Sequence, residues 1–320
     1  MTVPTTGYSQ PRFLDDIRST AAALGAPFDE DVTRDALSAF ADEFGTGAVV
    51  WKTTSRPGDD LSYRFYSRSR TDTVATAMRA GLLPRATPLA PLIAHWSGLF
   101  GGAAEQSCDF TAGSGLDKTW VWLGGTRPAS DVLDAGPVPD ALRRNVPACE
   151  RRGLAYIRFL AVDHRRSTVN VYFRVRGPLT HAQAADLVGL VRVPPPPREL
   201  VAEIGAFVPG DFGVSVTFSL RDGRAERVCF YALRIPRDRA PRLPDRITAF
   251  LSAAPSYDAE DCHVVGWSFG PGNGTYVKAE RSCLGGMISL FERWDCHFSG
   301  SGQRDGALPA VASPVPRVRP

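Results

Sequence analysis

Nowhere in its 320 residues does the chain carry an apolar run long enough to span a bilayer, which argues against a membrane-spanning helix. It also lacks a charged-then-apolar leader at the N-terminus, the mark of a secretory signal. Cysteine is sparse and scattered. Cys108, Cys149, Cys229, Cys262, Cys283 and Cys296 lie far apart with no CxxC pair. Several fall inside strand-like runs, where a reduced thiol packs as a small apolar group, and the reading is a cytoplasmic protein. Charge of one sign is missing too. The formal net charge of +3 comes from cations interleaved with carboxylates, which gives no ground for a nucleic-acid surface.

Metal and nucleotide signatures are equally thin. The short acidic clusters Asp15-Asp16, Asp29-Glu30-Asp31 and Asp59-Asp60 fall in helix starts or turns, and none has the DDxxD spacing. His95, His164, His181, His263 and His297 show no ligand spacing and read as surface or hairpin residues. The run GSGLDKT (113–119) looks like a degraded phosphate loop. However, Asp117 stands where a glycine belongs, and the following TWVWLGG is a strand, not a helix. FGPGNG (269–274) joins two strands, and no elbow motif supports a catalytic serine.

What the chain does have is a strand pair recurring about every fifty residues. GAVVWKTTS pairs with LSYRFYSRS, EQSCDFTA with KTWVWLGG, and GLAYIRFLAVD with STVNVYFRV. FGVSVTFSL with RVCFYALRI and CHVVGWSFG with TYVKAERSC complete the series. Successive strand residues face opposite sides. Lys52, Arg64, Lys118, Arg158, Asn170, Tyr172, Tyr231, Lys278 and Glu280 therefore fall where all can point one way. Charges are poor strand residues unless that face is wet or holds a charged ligand. Helix-like segments at 11–24, 31–44, 71–82, 138–152, 180–190, 197–207 and 242–252 separate the pairs, and turns at 221–226 and 271–275 make paired strands antiparallel. The expected fold is α+β: a ten-stranded antiparallel β-barrel surrounded by helices, built from five ααββ-type repeats around a polar, anion-binding lumen. One domain over 1–300 is expected, with a Pro/Ala/Gly/Arg-rich disordered tail over 301–320. The closed sheet suggests a monomer.

The runs WKTTSRPGDDLSYRF (51–65), VDHRRSTVNVYFR (162–174), RVCFYALRIP (227–236) and NGTYVKAERS (273–282) resemble bacterial aromatic prenyltransferases of the ABBA-barrel type. The likeness spans about residues 10–300. It is greatest to the subgroup acting on 4-hydroxyphenylpyruvate in aminocoumarin antibiotic pathways, to which phenazine prenyltransferases also belong. The resemblance implies transfer of a dimethylallyl group from its diphosphate to an aromatic ring by Friedel–Crafts alkylation. Residues matching the family's diphosphate site are Lys52, Arg64, Lys118, Asn170, Tyr172, Arg227, Tyr231 and Lys278. Cations there would stabilise the leaving diphosphate. Aromatic faces would shelter the allyl cation, with Trp120, Trp122, Phe65, Tyr156, Phe218 and Trp267 as candidates and Tyr172 and Tyr231 serving both roles.

On the acceptor side, Glu280 can hydrogen-bond a phenol and take the ring proton, while Arg158 offers a fork for a carboxylate. Phe218 and Trp267 would complete the acceptor wall. The catalytic set implied is Glu280, Lys118, Tyr172 and Tyr231. The plainer alternative is a structural ion pair between Glu280 and Arg158. Ser62 stands where the family's magnesium-dependent branch has an aspartate. Serine is a weak ligand for that ion, so no metal or other cofactor is expected. Neither membrane nor nucleic acid is an expected partner. A phenazine carboxylate or hydroxynaphthalene acceptor, a geranyl donor, or a non-catalytic barrel binding an anionic aromatic molecule are the competing readings.

Overall fold

Short connections and alternating strands dictate the architecture. In the computed structural model, which describes residues 7–101, 104–134, 136–208, 210–236, 241–294 and 296, ten strands close into one antiparallel barrel. They are β1 (Ala48–Thr54), β2 (Ser62–Tyr66), β3 (Glu105–Thr111), β4 (Gly115–Pro128), β5 (Tyr156–Asp163), β6 (Thr168–Val175), β7 (Phe212–Ser219), β8 (Ala225–Pro236), β9 (Cys262–Phe269) and β10 (Tyr276–Leu284). Each pairs with its sequence neighbours, and β1 seals the barrel against β10. The tail at 301–320 and His297 lie outside the described residues.

Helices precede each hairpin, and one follows the last. They are α1 (Gln10–Ala23), α2 (Glu30–Ala39), α3 (Ala41–Thr46), α4 (Thr73–Arg79), α5 (Ala90–Gly98), α6 (Ala129–Leu133), α7 (Asp140–Arg143), α8 (Val146–Glu150), α9 (His181–Val188), α10 (Arg198–Phe207), α11 (Asp245–Ala253) and α12 (Met287–Arg293). Side-chain caps start several of them: Asp29 accepts from the Val32 amide, Asp72 from Ala75 and Thr180 from Gln183. Thus two acidic residues that a metal reading would notice serve local structure: Asp29 caps a helix, and Asp59 pairs with Arg56.

Strand alternation sorts the apolar residues into two layers. The outer layer lies between barrel and helices, where Trp51, Tyr63, Phe65, Phe110, Phe218, Phe230 and Trp267 pack with Phe13, Phe40 and Phe44. The second layer lies inside the barrel. Val50, Tyr66, Tyr231 and Val264 meet Phe291 and Trp294 there, with Trp122, Phe159 and Tyr172 against them. Phe291 belongs to α12 and Trp294 follows it directly, so this helix closes one end of the lumen. Gly285 makes that closure possible. Its φ is +88°, and a Cβ there would lie 2.1 Å from the Gly47 carbonyl oxygen, so only glycine lets the chain turn from β10 into α12. Cys108, Cys149, Cys229, Cys262 and Cys283 are buried free thiols, and Cys296 is buried as well. His263 is buried within β9, not on the surface, because it shares its strand face with Val265 and Trp267, which sit in the outer core.

Candidate functional site

Cross-strand register places the charged lumen residues side by side. Arg64 lies opposite Asp109, Asp109 opposite Lys118, Lys52 opposite Glu280, and Thr217 opposite both Asn170 and Arg227. Gly266 faces Lys278 on one side and Tyr231 on the other. Residues directly opposite one another share a sheet face, so these groups form one continuous wall.

The wall divides into a neutralised half and a cationic half. On the neutralised side Asp109 is wholly inaccessible to solvent. It accepts from Lys52 at 2.6 Å and is gripped by two nitrogens of Arg64. Burial alone would raise its pKa, but Arg64 and Lys52 override this and hold it well below the carboxylate range. The same burial lowers the pKa of Lys52, against the pull of Asp109. Arg64 also donates to both Glu280 oxygens at 3.3 Å and to the Tyr66 hydroxyl, so each of its five N–H groups has a protein partner. Its guanidinium lies 4.0 Å from the Trp120 ring centre. Lys118 donates to Asp117 at 2.7 Å and Asp163 at 2.5 Å, and these carboxylates raise its pKa despite burial.

The cationic half is built by β6 to β10. Lys278 donates to the Tyr231 hydroxyl, and its amine lies 4.4 Å from that ring's centre. Arg227 donates to Thr217 Oγ1 at 3.1 Å, and Thr217 in turn donates to Asn170 at 2.7 Å. Neither Lys278 nor Arg227 has a carboxylate partner among the described residues. Tyr231 also hydrogen-bonds Ser215 Oγ at 3.2 Å. Burial raises the phenol pKa of Tyr231 and Tyr172, so both stay protonated. Two half-buried cations, two phenols, an amide and a hydroxyl thus face one space with no counter-anion among the described residues. Such a wall binds an anion with several oxygens.

Adjoining it is an aromatic box. Tyr172 lies 4.7 Å from Trp120 and 5.7 Å from Tyr231, centre to centre. Trp294 lies 5.1 Å from both Phe159 and Tyr66, and 5.6 Å from Trp122. Arg158 stands at the irregularity of β5, next to Phe159, and donates to Thr126 Oγ1 at 3.3 Å. The arrangement sets the cationic wall beside a cluster of aromatic rings.

Residues 8–295 match the aromatic prenyltransferase Orf2 family. The chain belongs to this family. It is 48% identical to a 4-hydroxyphenylpyruvate 3-dimethylallyltransferase of Streptomyces niveus, over 95% of this chain and 94% of that one. An aromatic prenyltransferase of Sclerotinia sclerotiorum is 43% identical, over 91% and 96% of the two chains. Among solved structures, 5-dimethylallyl tryptophan synthase from Streptomyces coelicolor, in complex with DMASPP and Trp, shares the fold. Its TM-score is 0.51 at 13% identity, covering 92% of this chain and 98% of that one.

For this prenyltransferase the structure sorts the sequence candidates. Lys52, Arg64, Lys118, Asn170, Tyr172, Arg227, Tyr231, Lys278 and Glu280 come together around the lumen, and Arg158 lies at its α12 end. Phe218 and Trp267 do not belong to an acceptor wall: both sit in the outer core, and Phe65 joins them there. The cause is strand parity. Trp267 lies between Gly266 and Ser268, whose cross-strand partners Lys278 and Cys229 face the lumen. Nor does Glu280 pair with Arg158; its ion-pair partner is Arg64. Sequence reading missed Asp109, Tyr66 and Trp294. Asp109 had a usable signal, a carboxylate in the middle of the strand EQSCDFT. Trp294 had none, because it enters the barrel from a helix outside the strand repeat.

Proposed function

We propose that this enzyme transfers a dimethylallyl group from dimethylallyl diphosphate to the ring of a phenolic acceptor of the 4-hydroxyphenylpyruvate type. The observation that carries this reading is the pair Lys278 and Arg227, half-buried cations without a carboxylate partner among the described residues, beside a cluster of aromatic rings. The 48% identity to a 4-hydroxyphenylpyruvate dimethylallyltransferase supports the choice of substrates.

In this mechanism Lys278, Arg227, Asn170 and the Tyr172 and Tyr231 hydroxyls bind the diphosphate. They stabilise the negative charge that grows as the allylic C–O bond breaks. Lys118 and Lys52 supply further positive potential, moderated by their carboxylates. The allyl cation then lies among the Tyr172, Tyr231 and Trp120 rings, each worth about 0.5–2 kcal/mol of cation–π stabilisation when desolvated. The acceptor ring carbon attacks, forming the C–C bond. Glu280, held by Arg64, takes the proton that restores aromaticity. Glu280→Gln is expected to lower kcat by about 10²-fold or more while changing donor affinity less than threefold. Single-turnover rates and binding of a thiolodiphosphate donor analogue check this split.

The transfer is proposed to need no divalent metal. The charge a metal would supply to the diphosphate is present in Lys278 and Arg227. The lumen carboxylates Asp109, Asp163 and Glu280 are already committed to Arg64, Lys52 and Lys118. The test is a product assay with dimethylallyl diphosphate and a panel of acceptors, 4-hydroxyphenylpyruvate included, in excess EDTA. An acceptor gaining one C5 unit at an undiminished rate is the expected result. Turnover appearing only with magnesium overturns metal independence, and no product under either condition overturns the transfer reading. Because every strand is paired on both sides, no sheet edge is left to recruit a second copy, and we take the monomer as the working unit. Five unpaired buried thiols, Cys108, Cys149, Cys229, Cys262 and Cys283, suit a reducing, cytoplasmic setting.

A further inference from the structure

The lumen end closed by α12 holds a donor set that the transfer chemistry leaves unused. Trp120, Trp122 and Trp294 line it, and the Nε1 of each indole is shut off from solvent without a hydrogen-bond partner among the described residues. An indole N–H can only donate. Buried donors without partners are rare, and each costs about 1–3 kcal/mol. The outer core offers an internal comparison: Trp51 donates to the Pro255 carbonyl at 2.7 Å and Trp96 to the Val132 carbonyl at 3.0 Å. In these two packing tryptophans the N–H is satisfied. Phenylalanine would fill an aromatic wall without leaving a donor stranded.

We infer that Trp122 and Trp294 form a subsite for the acceptor's oxygen-bearing side chain, a carboxylate or keto group, with Trp120 as a third donor nearer the ring. The two indoles are packed neighbours, their ring centres 5.6 Å apart, and Arg158 stands at the same end, beside Phe159 in sequence. A ligand that brings only acceptor oxygens satisfies the stranded donors. One that brings nothing leaves them unpaired, and one that brings an ammonium adds a donor where donors already crowd. The subsite therefore selects aromatic acids, and 2-keto acids over the matching amino acids. Its place next to Glu280 rests on the transfer reading; the binding preference itself does not.

The test is calorimetric titration of the full chain with 4-hydroxyphenylpyruvate, with tyrosine, and with 4-methylphenol, which keeps the ring and loses the side chain. Wild type is expected to bind the keto acid at least tenfold more tightly than either of the others. Trp122→Phe and Trp294→Phe keep the ring and remove the N–H. Each should weaken the keto acid about five- to tenfold, the loss of one hydrogen bond to a charged or polarised oxygen. Binding of 4-methylphenol should stay within twofold. Equal weakening of both ligands would mean that the indoles only pack, and no weakening of either would mean that the oxygens bind elsewhere; both results overturn the assignment. Affinity for a thiolodiphosphate donor analogue reports whether each variant remains folded, and two independent variants guard against one collapsing. Selective keto-acid binding with no prenylated product in the EDTA or magnesium assays would sink the transfer reading and leave this subsite standing.

Discussion

Lys278→Met is expected to lower kcat/KM by about 10³-fold and yet leave the melting temperature within about 2 °C of wild type. The size of the kinetic loss follows from removing a preorganised cation from a water-poor site where charge develops. The small stability change follows from the surroundings of Lys278. Its stem lies against Gly266, where an added Cβ would come within 2.8 Å of the Lys278 side chain, and methionine keeps that unbranched shape. Its amine donates to the Tyr231 hydroxyl, which retains Ser215 as a partner, and also neighbours the Cys229 thiol. No carboxylate is stranded.

Lys118→Met is the contrasting case. It leaves Asp117 and the buried Asp163 without their cation, so turnover and stability should fall together. Steady-state kinetics and thermal melts on both variants test the division of the wall into a cationic and a neutralised half. Near-native turnover in Lys278→Met would place the diphosphate elsewhere. A melting temperature as low as that of Lys118→Met would show that Lys278 has a structural role.

The same contrast shows how far the site was legible in the chain. Hairpin spacing and the alternation of charge with apolar residues sufficed for the barrel and for the cations of its lumen, because both are local periodic signals. Parity was the part less easily read. Phe218 and Trp267 suit an aromatic wall by residue type, yet register sets which face they occupy, and register depends on partners found only when strands pair. The pairing of charges was also hidden. Lys52, Arg64, Lys118, Arg227 and Lys278 look alike in sequence. Only the long-range placement of Asp109, 45 residues beyond Arg64, and of Glu280, 216 residues beyond it, separates the cations already matched from those still able to hold an anion. The stranded indole of Trp294 was invisible for a similar reason: it reaches the lumen through the Gly285 turn and α12, outside the repeat that betrayed the barrel.

Arg64→Met is expected to be the most destabilising single substitution in the lumen. Asp109 would keep Lys52 alone, and Glu280 would lose its ion-pair partner, both in the barrel interior. Removing one member of a buried ion cluster costs about 3–5 kcal/mol, on the order of 10 °C in melting temperature for a chain of this size. The dependence on pH gives the cause away. In the wild type the folded-state pKa of Asp109 is depressed, so its contribution to stability is present above the unfolded value of about 3.9 and is lost as pH falls below that. Without Arg64, burial gains on the remaining attraction of Lys52 and pushes Asp109 upward. A raised carboxyl pKa makes the folded state bind protons that the unfolded chain has released, so the variant loses stability as pH rises through that range. The gap between wild type and Arg64→Met should therefore widen between pH 5 and pH 7, as measured by denaturant unfolding at each pH. Arg64→Met combined with Asp109→Asn should recover part of the loss by removing the stranded charge. A destabilisation below about 1 kcal/mol that does not change with pH would mean that Asp109 and Glu280 find other partners. Arg64 would then have N–H groups to spare for the diphosphate, and the cationic site would extend across β2 instead of ending at β10.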